Sequence, residues 1–362
     1  MLLPDILTIP SAGFTLYYVL IYLCAPFSEN QISGGYIYNS SLIHYASRHH
    51  AVTYVQIKDY ESLILPEKTL SEKTVLILDT LFIRRMDFRE FIFRQPKGIL
   101  VLGLVHYLPS LNPFLSREER KILYKKENTY LKELHGFITV SRFMKETLIL
   151  RGIPKDQISI VRPGIDEEFA EACRRRRKAL DSTLKGPPLL LTVAHMLRGK
   201  GLVWLLSLLK RLSHIGWRWK IIGDTSLDKR YSEVFFRELS RSGLENRVDC
   251  AGVFEQDTMP EEYSRADIFV FPSASESYGM ACAEAAAAGL PVIANNTGGI
   301  PECIIHRKNG ILCSPFRREE WKAALLPMLG KPPVYQPGVY QTWETSSELF
   351  ISAVRDLECG RD

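Results

Sequence analysis

Two glutamates eight positions apart, Glu276 and Glu284, carry the strongest chemical signal in this chain. They lie in the run Phe271-Pro272-Ser273-Ala274-Ser275-Glu276-Ser277-Tyr278-Gly279-Met280-Ala281-Cys282-Ala283-Glu284. Ile268 to Phe271 reads as a short buried strand that Pro272 stops, and the alanine-rich stretch Met280 to Ala288 reads as a helix closed by Gly289. The carboxylates therefore straddle a strand-to-helix junction. A helix N-terminus offers unpaired N–H groups and about half a positive charge, so the turn Ser277-Tyr278-Gly279 suits an anion. Eight helical positions would span roughly 12 Å, too far for the two carboxylates to share a proton or a metal ion. They are instead suited to gripping different parts of one elongated ligand. A phosphate between two hydroxyl-bearing rings fits, as in a nucleotide sugar.

Three further constellations belong with this pair. Leu191-Thr192-Val193-Ala194-His195-Met196-Leu197-Arg198-Gly199-Lys200-Gly201 reads as a strand, a loop bearing a lysine, and a helix start. A cation there can neutralise a departing diphosphate, work that metals do in other sugar-transferring folds. Ser33-Gly34-Gly35-Tyr36 stands between the first strand and an expected helix from Ile37 to Ser47, and its Gly34 and Gly35 let backbone N–H groups approach a ligand. Gly103-Leu104-Val105-His106-Tyr107-Leu108-Pro109 puts His106 at the carboxyl end of a strand, aimed at a donor sugar or an incoming hydroxyl. His44, His49, His50, His135, His214 and His306 fall on helical or loop stretches and receive no role.

The Glu-x7-Glu spacing is followed by Ala288-Gly289-Leu290-Pro291-Val292-Ile293-Ala294 and by Gly298-Gly299-Ile300-Pro301-Glu302. Together these resemble the donor-site signature of retaining glycosyltransferases of family 4, which have the two-domain GT-B fold; the resemblance covers about residues 14 to 357. It implies a hexosyltransferase that moves a sugar from a nucleoside diphosphate sugar to an acceptor hydroxyl with retention, needing neither metal nor cofactor. By that resemblance Glu284 holds the ribose hydroxyls. Lys200 and the Ser277, Tyr278, Gly279 turn hold the diphosphate, and Glu276 orients sugar hydroxyls. Gly34 and Gly35 lie over the phosphate and acceptor side, His106 contacts the transferred sugar, and Val253 and Phe254 meet the nucleobase. Gly223-Asp224 closes a neighbouring strand, and Thr139-Val140-Ser141-Arg142 ends a first-domain strand facing the cleft. The sequence departs from the family at His195, which stands where an arginine is usual, with Arg198 placed to compensate. No protein nucleophile is evident, which favours front-face transfer with the leaving phosphate helping to deprotonate the acceptor. Nucleotide-sugar epimerases and phosphorylases share the fold, and His195 leaves open a nucleotide-binding subunit with little activity.

The elements that must position these residues alternate apolar runs with amphipathic stretches, the pattern of α/β architecture with parallel sheets. The first half has runs at Tyr17 to Leu23, Val52 to Ile57, Val75 to Leu78, Gly98 to Val105, Gly136 to Val140 and Ile158 to Val161. The second half has them at Leu189 to Ala194, Trp219 to Ile222, Val248 to Ala251, Ile268 to Phe271 and Pro291 to Ala294. The expected division is a Rossmann-like acceptor domain over 1–168 with an extension at 1–13, a linker at 169–187, and a nucleotide-sugar domain over 188–330. A helix within 331–362 then crosses back to the first domain, after a break at Lys331-Pro332-Pro333-Val334 in an otherwise helical tail from Arg317 to Leu357.

At 362 residues the chain is longer than one core supports, and 46% hydrophobic with 24% charged residues marks an ordinary globular protein. Its seven scattered cysteines form no Cys-x-x-Cys pair, which argues against a disulfide framework or a zinc site and for a reducing compartment. The apolar run Leu16 to Pro26 is short of the roughly 20 residues that span a bilayer, and no Lys or Arg precedes Arg48 to form a signal-peptide n-region. A cytoplasmic location is expected. The net charge of +5 is concentrated at Arg174-Arg175-Arg176-Arg177-Lys178, read either as a solvated helix end or as a patch drawn to an anionic membrane face with a lipid-linked acceptor. The sequence does not identify the acceptor, for which a glycan and a lipid-linked molecule both stay open, and nucleic acid is not expected.

Overall fold

The structure is a computed structural model that describes residues 19–26, 33–57, 74–84, 99–180, 186–333, 335, 338 and 340–360. Among these, two six-stranded sheets, parallel throughout, divide the chain in half. The first contains β1 (Leu20–Pro26), β2 (Val52–Ile57), β3 (Thr74–Asp79), β4 (Leu100–Val105), β5 (Gly136–Thr139) and β6 (Ile158–Ile160), in the order β2-β1-β3-β4-β5-β6. The second contains β7 (Leu189–Val193), β8 (Arg218–Ile222), β9 (Val248–Gly252), β10 (Ile268–Phe271), β11 (Val292–Asn295) and β12 (Gly310–Cys313), in the order β12-β11-β10-β7-β8-β9.

The central strands are continuous apolar runs because helices cover both sheet faces, leaving no solvated side to demand alternation. Every residue of β3, β4 and β10 is buried. In each sheet the strand order reverses once, between β1 and β3 and between β7 and β10. Ligands in open parallel sheets bind beyond the carboxyl ends of the strands flanking such a reversal. The loops leaving β7 and β10 are those carrying His195 to Gly201 and Ser273 to Gly279.

Several expectations need correction. The helix after β1 spans Gly34–Ala46 rather than starting at Ile37, so Gly34 and Gly35 form its first turn and are not loop. Ser33 is extended, and its carbonyl accepts from Ile37 N at 3.0 Å, closing that turn despite the low helix propensity of two glycines. Nothing in the sequence after Pro291 to Ala294 marks a further strand, yet β12 pairs with β11 through four residues. Helices at Arg318–Gly330 and Trp343–Cys359 stand on either side of the expected break, so the last helix falls within 331–362. Residues 1–13 and the start of the run Tyr17 to Leu23 lie outside the described residues, and β1 continues to Pro26. The helix Glu167–Leu180 begins ahead of the stretch read as a linker, 169–187, and runs into it, so the basic run lies on a helix.

The last helix packs on the first half of the chain. Trp343 meets Tyr38 at 5.7 Å between ring centroids, and Ile165 N donates to Gln341 O at 2.9 Å. Gly164 is required here, since a Cβ would lie 2.4 Å from Trp343 N. Within the basic run, Arg174 reaches Ala287 O and Tyr340 Oη, and Arg176 pairs with Glu261 at 3.7 Å, so both are turned toward the second half. Among the described residues, no helix is long and apolar enough to cross a membrane.

Candidate active site

The switch point between β7 and β10 joins two turns. Ala274 N donates to Gly199 O at 2.8 Å, and Gly201, at φ 70°, has no room for a Cβ, which would lie 2.3 Å from Pro272 O. Lys200 and Glu276 are thereby brought together. Lys200 Nζ lies 2.5 Å from Glu276 Oε1, and Ser273 Oγ donates to the same oxygen at 2.7 Å. The carboxylate thus stands beside the cation that the sequence assigns to a diphosphate.

The Ser277, Tyr278, Gly279 turn caps the helix Met280–Ala287, with Gly279 at φ 97° in the cap position. Tyr278 is buried, and burial pushes its hydroxyl pKa up. Gly298 and Gly299 clamp this turn from behind. Gly299 N donates to Glu276 O at 2.9 Å, and a Cβ on Gly298 would lie 1.9 Å from that same oxygen.

Gly34 belongs to the opposite wall. A Cβ built on it would lie 3.7 Å from Met280 Sδ, so the start of the helix Gly34–Ala46 faces the start of the helix Met280–Ala287 across the cleft. Neither helix has a side-chain cap. Two positive dipole ends and Lys200 therefore converge, an arrangement suited to a polyanion.

His106 directly follows β4, beneath this helix start, and is 7% exposed. Its Nε2 donates to Asn39 Oδ1 at 2.8 Å and lies 3.4 Å from Asp79 Oδ2. Asn39 Nδ2 in turn donates to Asp79 Oδ2 at 2.6 Å, and Leu81 N donates to Asp79 Oδ1 at 2.8 Å. A Cβ on Gly35 would lie 3.6 Å from the imidazole. Asn39 and Asp79 were not anticipated, although a lone acid closing the apolar strand Thr74–Asp79 at its carboxyl end is a readable sign.

Glu284 stands apart from Glu276 in the second turn of its helix. Tyr263 Oη donates to Glu284 Oε2 at 2.7 Å. Burial pushes the Glu284 carboxyl up to about 7 while the Tyr263 hydrogen bond pulls it down. Tyr263, on the helix Met259–Arg265, is a further residue that the sequence did not single out.

The remaining candidates are dispersed. His195 Nδ1 accepts from Asp224 N at 3.1 Å, which fixes the ring against the end of β8 and puts the proton of a neutral imidazole on Nε2. Arg198 is not drawn to the Lys200–Glu276 pair; its guanidinium stands 4.7 Å over the Phe114 ring. Val253 is exposed and Phe254 half-buried after β9, where Lys220 Nζ lies 5.0 Å from the Phe254 ring. Ser141 is occupied as the cap of the helix Arg142–Leu150, accepting from Met144 N at 3.1 Å.

One motif residue without an assigned role spans the two halves. Glu302 accepts from Arg142 N and Phe143 N, both at 2.9 Å, at the start of the helix Arg142–Leu150. Arg162 Nε and Nη2 each lie 3.1 Å from Glu302 Oε2. Among the described residues, no group of three or more His, Cys, Asp or Glu is placed to hold a metal ion.

Residues 175–336 match the family described as Glycosyl transferases group 1. An uncharacterized glycosyltransferase of Methanocaldococcus jannaschii is 26% identical over 209 residues, covering 56% of this chain and 52% of the relative. A D-inositol 3-phosphate glycosyltransferase of Segniliparus rotundus is 28% identical over 224 residues, covering 55% and 47%. The chain spans about half the length of the curated relatives it matches. Among solved structures, Anabaena HepE in complex with UDP and glucose superposes with a TM-score of 0.67 at 16% identity, covering 93% of this chain and 100% of that one. A sucrose-phosphate synthase from Thermosynechococcus elongatus gives 0.69 at 18% identity, covering 94% and 97%. These likenesses show the fold, and the two facing parallel sheets are those of GT-B.

Proposed function

Because residues 175–336 belong to the group 1 glycosyltransferases and the whole chain has the GT-B fold, we infer that the protein moves a sugar from a nucleoside diphosphate sugar to an acceptor hydroxyl. The observation that carries this reading is the Lys200–Glu276 pair at the β7/β10 switch point, set between two uncapped helix starts. The diphosphate takes Lys200 Nζ and the N–H groups at Gly34 and Gly279. Glu276, released from the lysine, accepts from hydroxyls of the sugar. Glu284 accepts from the ribose, and Val253 and Phe254 border the base. HepE, a fold neighbour, is described with UDP-glucose, which makes a uridine diphosphate sugar the first donor to test.

The transfer retains configuration. The bond from the anomeric carbon to the phosphate oxygen breaks, the acceptor oxygen bonds to that carbon on the same face, and the acceptor proton passes to the leaving phosphate. Lys200 and the two helix starts stabilise the negative charge that develops on the diphosphate, the kind of electrostatic term that contributes most to such steps. His106, fixed by Asn39 and Asp79, orients the sugar or the incoming hydroxyl.

Thermal-shift titration with UDP-, GDP- and ADP-sugars tests the reading, since a ligand bound only by the folded state raises its stability. One nucleotide class should stabilise the wild type, and Lys200→Ala should lose most of that stabilisation. No stabilisation by any nucleotide would refute the donor assignment. With the donor alone, an epimer or a free sugar phosphate would point to the epimerase or phosphorylase chemistry of this fold, and NMR of the product settles the anomeric outcome.

A further inference from the structure

A second cavity, of about 490 Å³, lies beside the donor cleft, where Phe114 of the first half meets Arg198, Trp204, Tyr231, Phe316 and Arg318 of the second. One turn serves both places. Lys200 faces Glu276, whereas Arg198, two residues earlier, turns outward over Phe114.

The walls are aromatic and fixed. Trp204 meets Phe316 edge-on at 5.5 Å and Trp321 at 5.4 Å, and Tyr231 Oη accepts from Val203 N at 3.0 Å. Phe316 holds φ 58°, a left-handed conformation that is costly for an aromatic residue. That backbone sets the ring against Gly201, where a Cβ would lie 3.3 Å from Phe316 Cε1. Strain of this kind concentrates at ligand sites.

The charge in the cavity is uncompensated. Among the described residues, no carboxylate lies within ion-pair distance of Arg198 or Arg318. Arg318 Nη2 donates to Ser207 Oγ at 3.3 Å. The nearby acid Glu320 is engaged elsewhere, accepting from Ser314 N at 2.6 Å.

We propose that this cavity is an acceptor subsite for a hexose ring bearing an acidic group, a phosphate or a carboxylate. Its volume falls in the range of small-ligand sites, roughly 300–1,000 Å³. The aromatic walls pack against the C–H face of a sugar, and the two planar guanidiniums match an oxyanion in a way a neutral sugar would leave unused. An entirely apolar ligand would leave both arginines unanswered. The cavity is built by both halves and shares the Arg198–Lys200 turn with the donor cleft, so it serves the molecule that meets the donor. That last step rests on the donor reading above.

Isothermal titration without donor tests the subsite, using glucose 6-phosphate, glucuronate, glucose and inorganic phosphate against the wild type, Arg318→Glu and Phe114→Ala, with UDP titrated in parallel. At least one acidic hexose should bind about tenfold or more tightly than glucose or inorganic phosphate. Arg318→Glu should abolish that preference and Phe114→Ala should weaken it, both leaving the UDP affinity unchanged. The stronger of the two acidic hexoses identifies phosphate or carboxylate. Equal affinity for glucose, equal affinity for inorganic phosphate, no binding of either acidic hexose, or indifference to Arg318→Glu would overturn the proposal. Failure of UDP to bind the wild type would instead count against the donor reading, since the hexose titrations need no nucleotide.

Discussion

Replacing Glu302 by alanine removes a single carboxylate that ties the second half of the chain to the first. It accepts two backbone N–H bonds at 2.9 Å from the start of the helix Arg142–Leu150 and pairs twice with Arg162. The Arg162 side chain is 32% exposed, so that ion pair is screened and contributes at most about 1 kcal/mol. The two N–H bonds to a charged acceptor are worth about 1.5–3 kcal/mol each in isolation, but the freed N–H groups regain water, which reduces the net loss. A total loss of about 2–4 kcal/mol follows, felt first as release of this contact. Hydrogen exchange reads it directly at the amides of Arg142 and Phe143. At 1.4 kcal/mol per tenfold, Glu302→Ala should speed their exchange roughly thirty- to seven-hundred-fold, while the buried amides of β5 keep their protection. Glu302→Gln should fall between, because its amide oxygen still accepts one bond whereas its NH2 group opposes the second donor. Unchanged exchange at both amides in a folded Glu302→Ala protein would refute the assignment of Glu302 as an interdomain tie.

Glu284 should make both stability and donor binding depend on pH. Its folded-state pKa is raised to about 7 from an ordinary 4.5, so its contribution to stability is complete below about pH 4.5 and is lost as pH rises through 7. Denaturant titrations should show a loss of up to about 3 kcal/mol over that window, and Glu284→Gln should flatten it. Donor affinity should run the opposite way, strengthening as pH rises through 7 because ribose hydroxyls donate to the ionised carboxylate, and a flat pH profile would exclude that contact. Glu127 is fully buried with Arg151 at 2.7 Å and also holds Ser110 N and Oγ, just beyond His106. Chemical denaturation of Glu127→Ala should therefore show a loss of about 3–5 kcal/mol, the cost of stranding a buried arginine. Gly298→Ala must displace the Glu276 carbonyl, and calorimetry should find nucleotide binding lost while the far-UV circular dichroism stays native.

The legible parts of the molecule were those whose determinants are local. Thr74–Asp79 and Leu100–Val105 are apolar at nearly every position because helices cover both faces of their sheet, and such runs stand out. Gly34 and Gly35 misled because intrinsic propensity argues against a helix there, whereas packing over His106 and Leu81 starts one. Strand Gly310–Cys313 opens on a glycine, a residue depleted in strands, and its two middle residues are only half-buried, unlike the equally short Ile268–Phe271. In the site, Lys200 and Glu276 were readable because each ends a strand-to-helix turn of recognisable composition. Their supports were not. Asn39 comes to His106 from 67 positions away, and Arg142 N to Glu302 from 160. Tyr263 lies on a separate helix from Glu284. Such pairings are set by topology, which brings together side chains that carry no mark of each other in the sequence.

The Lys200–Glu276 pair has a consequence for selectivity. A ligand offering only phosphate must pull the lysine from its partner and strand a carboxylate that is 15% exposed, and a ligand offering only hydroxyls must do the reverse to the lysine. A molecule bringing anion and hydroxyls on one frame satisfies both groups at once. On the proposed donor reading, a nucleoside diphosphate sugar should therefore bind this cleft more tightly than its nucleoside diphosphate or its free sugar does alone.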